Sequence, residues 1–176
     1  AAHLSDGRIL EADGLILAVG AADRDLAPEL SALTPIKGQI LRMTGQPLAG
    51  PVVRADGVYV RPHLNGAVVG ATMEAGRADR TVDEAVVEGL AARAAALFPS
   101  LAGATRQASV GVRATTVDGL PLVGASSRSG VILAVGARRN GWLLAPMAAE
   151  IVADLAFERA AGPFAAALAP GRLRSH

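Results

Sequence analysis

Val131-Ile132-Leu133-Ala134-Val135-Gly136-Ala137-Arg138-Arg139-Asn140-Gly141-Trp142-Leu143-Leu144-Ala145-Pro146 is the stretch on which the reading of this chain turns. Its first five residues are apolar without a break, the pattern of a strand buried in a sheet. Gly136 stops the run where a tight backbone turn is needed. From Asn140 onward Leu144, Ala148, Ile151 and Leu155 recur at helical spacing and predict an amphipathic helix. A strand, a glycine turn and a helix start in succession make a cradle for an anionic or polarised group, because the first N–H groups of a helix have no intrahelical acceptor.

Upstream, Ser109–Val112 reads as another apolar strand that breaks into a loop at Arg113. Arg113, Arg138 and Arg139 thus all fall where strands end. A guanidinium is planar and permanently charged, so an arginine on a loop over a pocket can hold a carboxylate with two parallel hydrogen bonds. For any one of them taken alone, a solvated loop charge is the plain alternative.

The middle of the chain is punctuated by turn dipeptides. Asp56-Gly57 separates Pro51–Arg54 from Val58–Pro62, and Asn65-Gly66 precedes Ala67–Thr72; both dipeptides tolerate the positive φ of tight hairpins. With Ile36–Met43 these runs predict an antiparallel meander. Thr81-Val82-Asp83-Glu84 reads as a capping box, followed by Val86, Leu90, Ala94 and Leu97 at helical spacing until Pro99. That helix is expected to cover one face of the meander. Nearer the start, Ala1–Ala12 reads as two strands around Ser5-Asp6-Gly7, Leu15–Val19 as a strand buried on both faces that Gly20 ends, and Asp25–Leu33 as a short helix. The expected fold class is α+β, with residues 1–34 and 113–160 forming one region, 35–112 a second, and 161–176 a tail without clear pattern, expected to be partly disordered.

Composition narrows the function classes. Of 176 residues 51% are hydrophobic and 19% charged, a globular balance, and the formal net charge is +1. The basic residues are scattered among acids rather than forming a stripe, which gives nucleic-acid binding no support. Lys37 is the only lysine, and with the abundant alanine it reads as coding bias rather than activity. There is no cysteine, so thiolate catalysis and disulfides are absent and a reducing, cytoplasmic setting is the default expectation. His3, His63 and His176 stand far apart and read as surface residues, so no metal is expected. No apolar run approaches the ~20 residues that span a bilayer.

The stretch Gly111-Val112-Arg113-Ala114-Thr115-Thr116-Val117-Asp118-Gly119-Leu120-Pro121-Leu122-Val123-Gly124 resembles the G-[IL]-R-P-x-[ST]-x-D-G-x-P-x-[IL]-G signature of the D-amino-acid oxidase superfamily of flavoenzymes. Gly136–Pro146 resembles its G-H-x-R-N-G-[IL]-L-L-A-P signature, in the right order and spacing. Ala12–Gly20 is similar to a late strand of the family's flavin domain, Pro35-Ile36-Lys37-Gly38-Gln39 to its P-[IV]-K-G-[EQ] strand, and Val69–Glu74 to the V-G-A-T-M segment of glycine oxidases. Ala114, Ala137 and Trp142 depart from the pattern. An indole at Trp142 either narrows the site or packs outward into the core.

The resemblance implies an antiparallel or mixed substrate-binding sheet with covering helices, attached to the C-terminal part of a Rossmann-type FAD-binding domain. It implies FAD as cofactor, with Gly20, Gly136, Arg138, Arg139, Asn140, Gly141, Trp142 and Leu143 on the flavin side. Arg113 would pair with the substrate carboxylate, assisted by Arg139, with Tyr59 and Met73 lining the same pocket; an ordinary strand aromatic and a methionine filler are the alternatives for the last two. The implied reaction is hydride transfer from glycine or a small D- or N-methyl amino acid to flavin, with no obligatory protein base, as in the glycine oxidases of thiamine biosynthesis. Oxygen or another carrier would accept the electrons, oxygen giving peroxide.

The family's G-x-G-x-x-G fingerprint is not in these residues, and Ala1 reads as an entry into the middle of a fold. A preceding segment of the same protein with a strand, that turn and a helix is therefore expected as partner. Three rival readings remain beside the oxidase: a dehydrogenase handing electrons to a carrier, a non-catalytic fragment or subunit, and a generic carboxylate-binding module. A free edge as apolar as Leu15–Val19 associates, which leaves a homo-oligomer open.

Overall fold

The computed structural model describes residues 1–21 and 24–174, without the side chain of Arg174; His176 lies outside the described residues. In chain order the elements are β1 (Ala2–His3), β2 (Ile9–Leu10), β3 (Leu15–Leu17), two 3₁₀ turns (Arg24–Leu26 and Pro28–Ala32), β4 (Thr34–Thr44), β5 (Val53–Ala55), β6 (Val58–His63), β7 (Gly66–Gly70), β8 (Glu74–Ala75) and α1 (Glu84–Leu97). Then follow β9 (Thr105–Thr115), β10 (Leu122–Ala125), β11 (Val131–Val135), α2 (Gly141–Ala156), α3 (Ala165–Leu168) and a last 3₁₀ turn (Pro170–Arg174). The chain divides into two compact units: Ala1–Pro35 with Arg113–His176, and Ile36–Val112. The α+β class is as expected, and the chain crosses between units within β4 and within β9.

In the Ile36–Val112 unit the order β5-β6-β7-β4-β8 is antiparallel throughout, and β9 also pairs with β4. The hairpin signals work as their chemistry requires: Ala55 pairs with Val58 around Asp56-Gly57, and Gly57 has φ +67°. Alternation puts Leu41, Met43, Val58, Val60, Ala67 and Val69 on one face, where they pack against Val87, Leu90, Ala91 and Ala94 of α1. The leucines, valines and methionine among them each contribute about 1.5–3 kcal/mol when withdrawn from water, the alanines less. The cap differs from expectation. Asp83, not Thr81, is the N-cap of α1, its carboxylate accepting from the amides of Ala85 and Val86, because Thr81 is placed by the Asp79 carboxylate instead.

Alternation also carries Lys37 and Gln39 to the α1 side. Lys37 is fully buried and its Nζ donates to Asp79 Oδ1 at 2.6 Å. Gln39 donates to Glu74 at 2.8 Å and accepts from the Asp83 amide at 2.8 Å; Arg77 bridges Glu74 and Asp79. The lone lysine is thus a structural ion, which coding bias does not describe.

In the Ala1–Pro35 with Arg113–His176 unit the sheet order is β10-β11-β3, mixed: β10 and β11 run antiparallel, β11 and β3 parallel. The Leu15–Val19 stretch forms only a three-residue edge strand, and Leu17 alone is buried, with Ile16 50% exposed. Burial on both faces is not realised, because among the described residues nothing covers the Ile16 side. The expected helix over 25–33 is two 3₁₀ turns, Pro28 opening the second. Buried Glu29 ties that turn to the β10–β11 loop, accepting from Ser126 Oγ at 2.6 Å and the Ser127 amide at 2.7 Å. Burial pushes the Glu29 carboxyl up, but these donors outweigh it and hold it at about 2. β10 was not foreseen, and neither was order near the end of the chain, where α3 and the last turn pack on β10 with Leu168 buried. Arg172 anchors them to Asp118 at 2.8 Å and to the carbonyls of Leu168, Ala169 and Leu120.

Asp79→Ala is expected to destabilise the Ile36–Val112 unit more than Lys37→Met does, since it leaves the buried Lys37 without its acceptor. Urea unfolding of both variants checks that order. The Lys37 ammonium, hydrogen-bonded to Asp79, lowers its carboxyl from 3.8 to about 2. The pair's contribution is therefore complete above the ordinary carboxylate value and lost as pH falls through about 2, and Asp79→Ala should flatten that part of the profile.

Candidate functional site

The two signature segments are fastened to each other. Thr115 and Ala137 form an isolated antiparallel bridge, and the Arg138 amide donates to the Ala114 carbonyl at 3.0 Å. Gly136, buried, has φ +77°, and a Cβ there would meet Leu33 Cδ2 at 2.9 Å. Arg138 follows at φ +53°, a left-handed conformation that few non-glycine residues adopt. Two positive-φ residues within three positions swing the chain from β11 into α2.

Arg113 lies within β9, which runs on to Thr115 rather than breaking at the arginine as expected. Its side chain is half-buried and its Nη1 is buried with no hydrogen-bond partner. A buried guanidinium nitrogen left unpaired is costly, so such groups call for an explanation. Three residues on, Thr116 is buried and its hydroxyl lies 2.7 Å from Asp118 Oδ1. Asp118 also accepts from the Leu120 amide at 3.0 Å, and the Arg172 guanidinium beside it holds its carboxyl well below the usual carboxylate range. The acid of the signature thus locks the loop and the C-terminal turn and is not a proton carrier at neutral pH.

Asn140 caps α2 without a side-chain hydrogen bond, and the Leu144 amide closes the first turn on the Asn140 carbonyl. The amides of Gly141, Trp142 and Leu143 precede the first intrahelical donor, and no acidic residue stands in this turn. Pro146 has no N–H to give the Trp142 carbonyl. Trp142 is 97% exposed and Leu143 79%. The indole therefore packs into no core of this unit. Arg138 and Arg139 are exposed and their guanidinium groups have no ion pair among the described residues. Gly20, past the end of β3, has φ +66° and is exposed. An apolar cleft of ≈ 370 Å³ runs beside α2, lined by Ile16, Val123, Ala134, Leu144, Ala148 and Val152 among others. A turn free of acids, open amides and an apolar cleft fit one end of a flavin, whose reduced ring carries negative charge.

Tyr59 and Met73 belong to the other unit. Tyr59 is half-buried on β6 opposite Gly70, where a Cβ would meet its Oη at 2.8 Å, and the Arg54 guanidinium lies 5.6 Å from the ring centroid. Met73 is 38% exposed between Thr72 and Glu74, whose side chains bond each other at 2.7 Å. The Asp118–Arg172 clamp and the Lys37 network were missed in the sequence. A lone lysine in phase with Leu41 and Met43 was the available signal for the second; nothing near Arg172 signalled the first.

Residues 2–155 match the family described as DAO, FAD dependent oxidoreductase. Glycine oxidase of Pseudomonas putida (strain KT2440) is 35% identical over 158 residues, covering 86% of this chain and 43% of that protein. The tRNA 5-methylaminomethyl-2-thiouridine biosynthesis bifunctional protein MnmC of Caulobacter sp. (strain K31) is 37% identical over 185 residues, 97% of this chain and 30% of that protein. The crystal structure of glycine oxidase from Geobacillus kaustophilus aligns with a TM-score of 0.79 at 32% identity, covering 92% of this chain and 46% of that one. The chain thus spans less than half the length of these relatives.

Gly136→Ala is expected to destabilise its unit by about 2 kcal/mol, adding left-handed strain to the overlap with Leu33. Exposed Gly20→Ala, with positive φ but nothing within 4 Å of the new Cβ, should cost less. Thermal unfolding of the pair separates strain from overlap.

Proposed function

The chain belongs to the FAD dependent oxidoreductase family, and on that premise we propose that it is the substrate-facing part of an enzyme that oxidatively deaminates glycine or a small D- or N-methyl amino acid. The observation that carries this reading is the buried, unpartnered Nη1 of Arg113. A substrate carboxylate supplies the missing acceptor, and a planar fork holds it in one orientation. Arg139, an unpaired charge on the turn fastened to the Arg113 strand, adds to the same field.

On the cofactor side, the amides of Gly141, Trp142 and Leu143 face negative charge at the helix start, while Gly136 and Asn140 shape the turn and Arg138 adds a cation. FAD, when bound, would supply the acceptor for the hydride leaving the α-carbon of the neutral amine, and water would convert the imine to a keto acid and ammonia, or methylamine from an N-methyl substrate. No carboxylate or histidine of the described site is placed to act as a base, so orientation and electrostatics are the protein's contribution. The G-x-G-x-x-G segment that grips the cofactor's pyrophosphate in this reading is a partner of the chain, and oxygen or another carrier takes the electrons.

The test uses the FAD-loaded protein. Arg113→Ala should lower kcat/KM for amino acids at least about thirtyfold, the loss expected when one partner of a dry charge pair is removed. Arg113→Lys should recover little, since a point charge does not reproduce the fork. Uncharged amines should be nearly indifferent. Equal losses for an amino acid and its matched amine would remove Arg113 from the substrate site, and peroxide assayed during turnover identifies the acceptor.

A further inference from the structure

Arg172 donates five hydrogen bonds, as many as a guanidinium has N–H groups. Nε reaches Asp118 Oδ2 at 2.8 Å and Nη2 reaches Asp118 Oδ1 at 3.1 Å, a two-pronged grip on one carboxylate, and Nη2 also meets the Leu120 carbonyl at 2.9 Å. Nη1 donates to the carbonyls of Leu168 and Ala169 at 2.8 and 3.2 Å, which fixes the fork to its own turn. That turn is anchored independently. Leu168 is buried with Val123 and Ile151, and Pro170 lies against Gly124, where a Cβ would meet Pro170 Cδ at 2.8 Å. Asp118 and Gly124 both belong to the signature stretch from Gly111 to Gly124, whereas Leu168, Pro170 and Arg172 lie beyond the residues 2–155 that match the family. All of them belong, with Arg113, to the Ala1–Pro35 with Arg113–His176 unit.

We propose that Arg172 is a positioning residue of the carboxylate site: acting through Asp118 and Thr116, it holds the end of β9 so that Arg113 and the Gly136 turn keep one register, and affinity for the substrate carboxylate depends on it. The inference rests on the reading that gives Arg113 the substrate carboxylate, and deepens it. The path is short. Asp118 Oδ1, gripped by Arg172, lies 2.7 Å from the Thr116 hydroxyl and accepts from the Leu120 amide at 3.0 Å. Thr116 is three residues beyond Arg113, and Thr115 between them makes the bridge to Ala137. Thr116 Cγ2 lies 3.8 Å from where a Cβ on Gly136 would stand, so the same threonine packs against the turn into α2. Two parallel bonds from a planar fork to a carboxylate tolerate little error in direction, so a loosened strand end weakens that contact first. With every donor engaged inside the fold, Arg172 has none to offer a substrate, and its effect on the site runs through the loop.

The probe is whichever of glycine, D-alanine and N-methylglycine turns over fastest, with the FAD-loaded protein well below its melting temperature. Arg172→Gln should raise KM about tenfold and leave kcat within about twofold, because the loss falls on binding of the carboxylate. An arginine that only stabilised the fold would lower the active fraction, and so kcat, with KM unchanged. Arg172→Lys keeps the charge without the fork; it should recover part of the KM, and it carries the test where Arg172→Gln does not fold. Asp118→Asn should reproduce the rise in KM, and adding Arg172→Gln to it should cost no more than about twofold further, as for two residues acting in one network. Hydrogen exchange should quicken at the amides of Gly119, Leu120 and Arg138, whose acceptors lie at Thr116, Asp118 and Ala114, and stay unchanged in α1. Arg159→Gln, which removes another ion pair of the same unit, at Asp154, should alter neither kinetics nor exchange. A fall in kcat alone, additive losses in the double variant, or unchanged exchange at those three amides overturns this inference, and the carboxylate reading stands if Arg113→Ala still separates amino acid from amine. Where Arg113→Ala does not separate them, or none of the three acids turns over, both fall.

Discussion

The hydrogen bond from the Arg138 amide to the Ala114 carbonyl, 3.0 Å long, is the constraint on which the remainder of the site depends. It joins the end of a long strand to the turn before the final long helix. Arg138 reaches that carbonyl only because it and Gly136 take up positive φ. With the turn so fixed, the first amides of α2 and the strand that carries Arg113 are held by a common backbone frame rather than by side chains. Functional groups held in this way lose little freedom on meeting a ligand, which is where much of an enzyme's advantage arises.

Satisfied polar groups support both units. Asp118 is satisfied by a hydroxyl, an amide and the Arg172 guanidinium, so its charge is fully used within the fold. Glu74 and Asp79 likewise answer Lys37, Gln39 and Arg77. Against that background of saturated groups, Arg113 Nη1 stands out because it is buried and unanswered. Buried polar atoms are nearly always paired in folded proteins, so the one exception among the described residues calls for an explanation, and the proposed substrate carboxylate is one.

Much of this was legible in the sequence because it depends on short-range rules. Periodicity located α1, α2 and β11, and Asp-Gly fixed the β5–β6 hairpin at Asp56-Gly57, since turn chemistry acts over a few residues. What was not legible depends on which residues meet across the sheet. Leu15–Val19 looked fully buried because an apolar run says nothing about how many neighbours it receives. That Arg42, Arg54 and Arg61 share the sheet face opposite α1 was invisible because they are separated by a dozen and by seven residues along the chain and become neighbours only through register. Of the two orientations foreseen for Trp142, packing into the core is not realised: the ring is left in solvent.

That solvent-exposed ring gives the protein a built-in optical probe. Trp142 is the only tryptophan of the chain and stands in the first turn of α2. Its emission reads one location without background from another indole. Anything that settles on the helix start, whether a flavin, a preceding segment of polypeptide or a second subunit, must dry the ring and shift its emission to shorter wavelength. A flavin there would also quench it by energy transfer, so colour and quenching together identify which of these has arrived. A residue that departs from the family pattern thus makes assembly at this site observable in real time, with no label added.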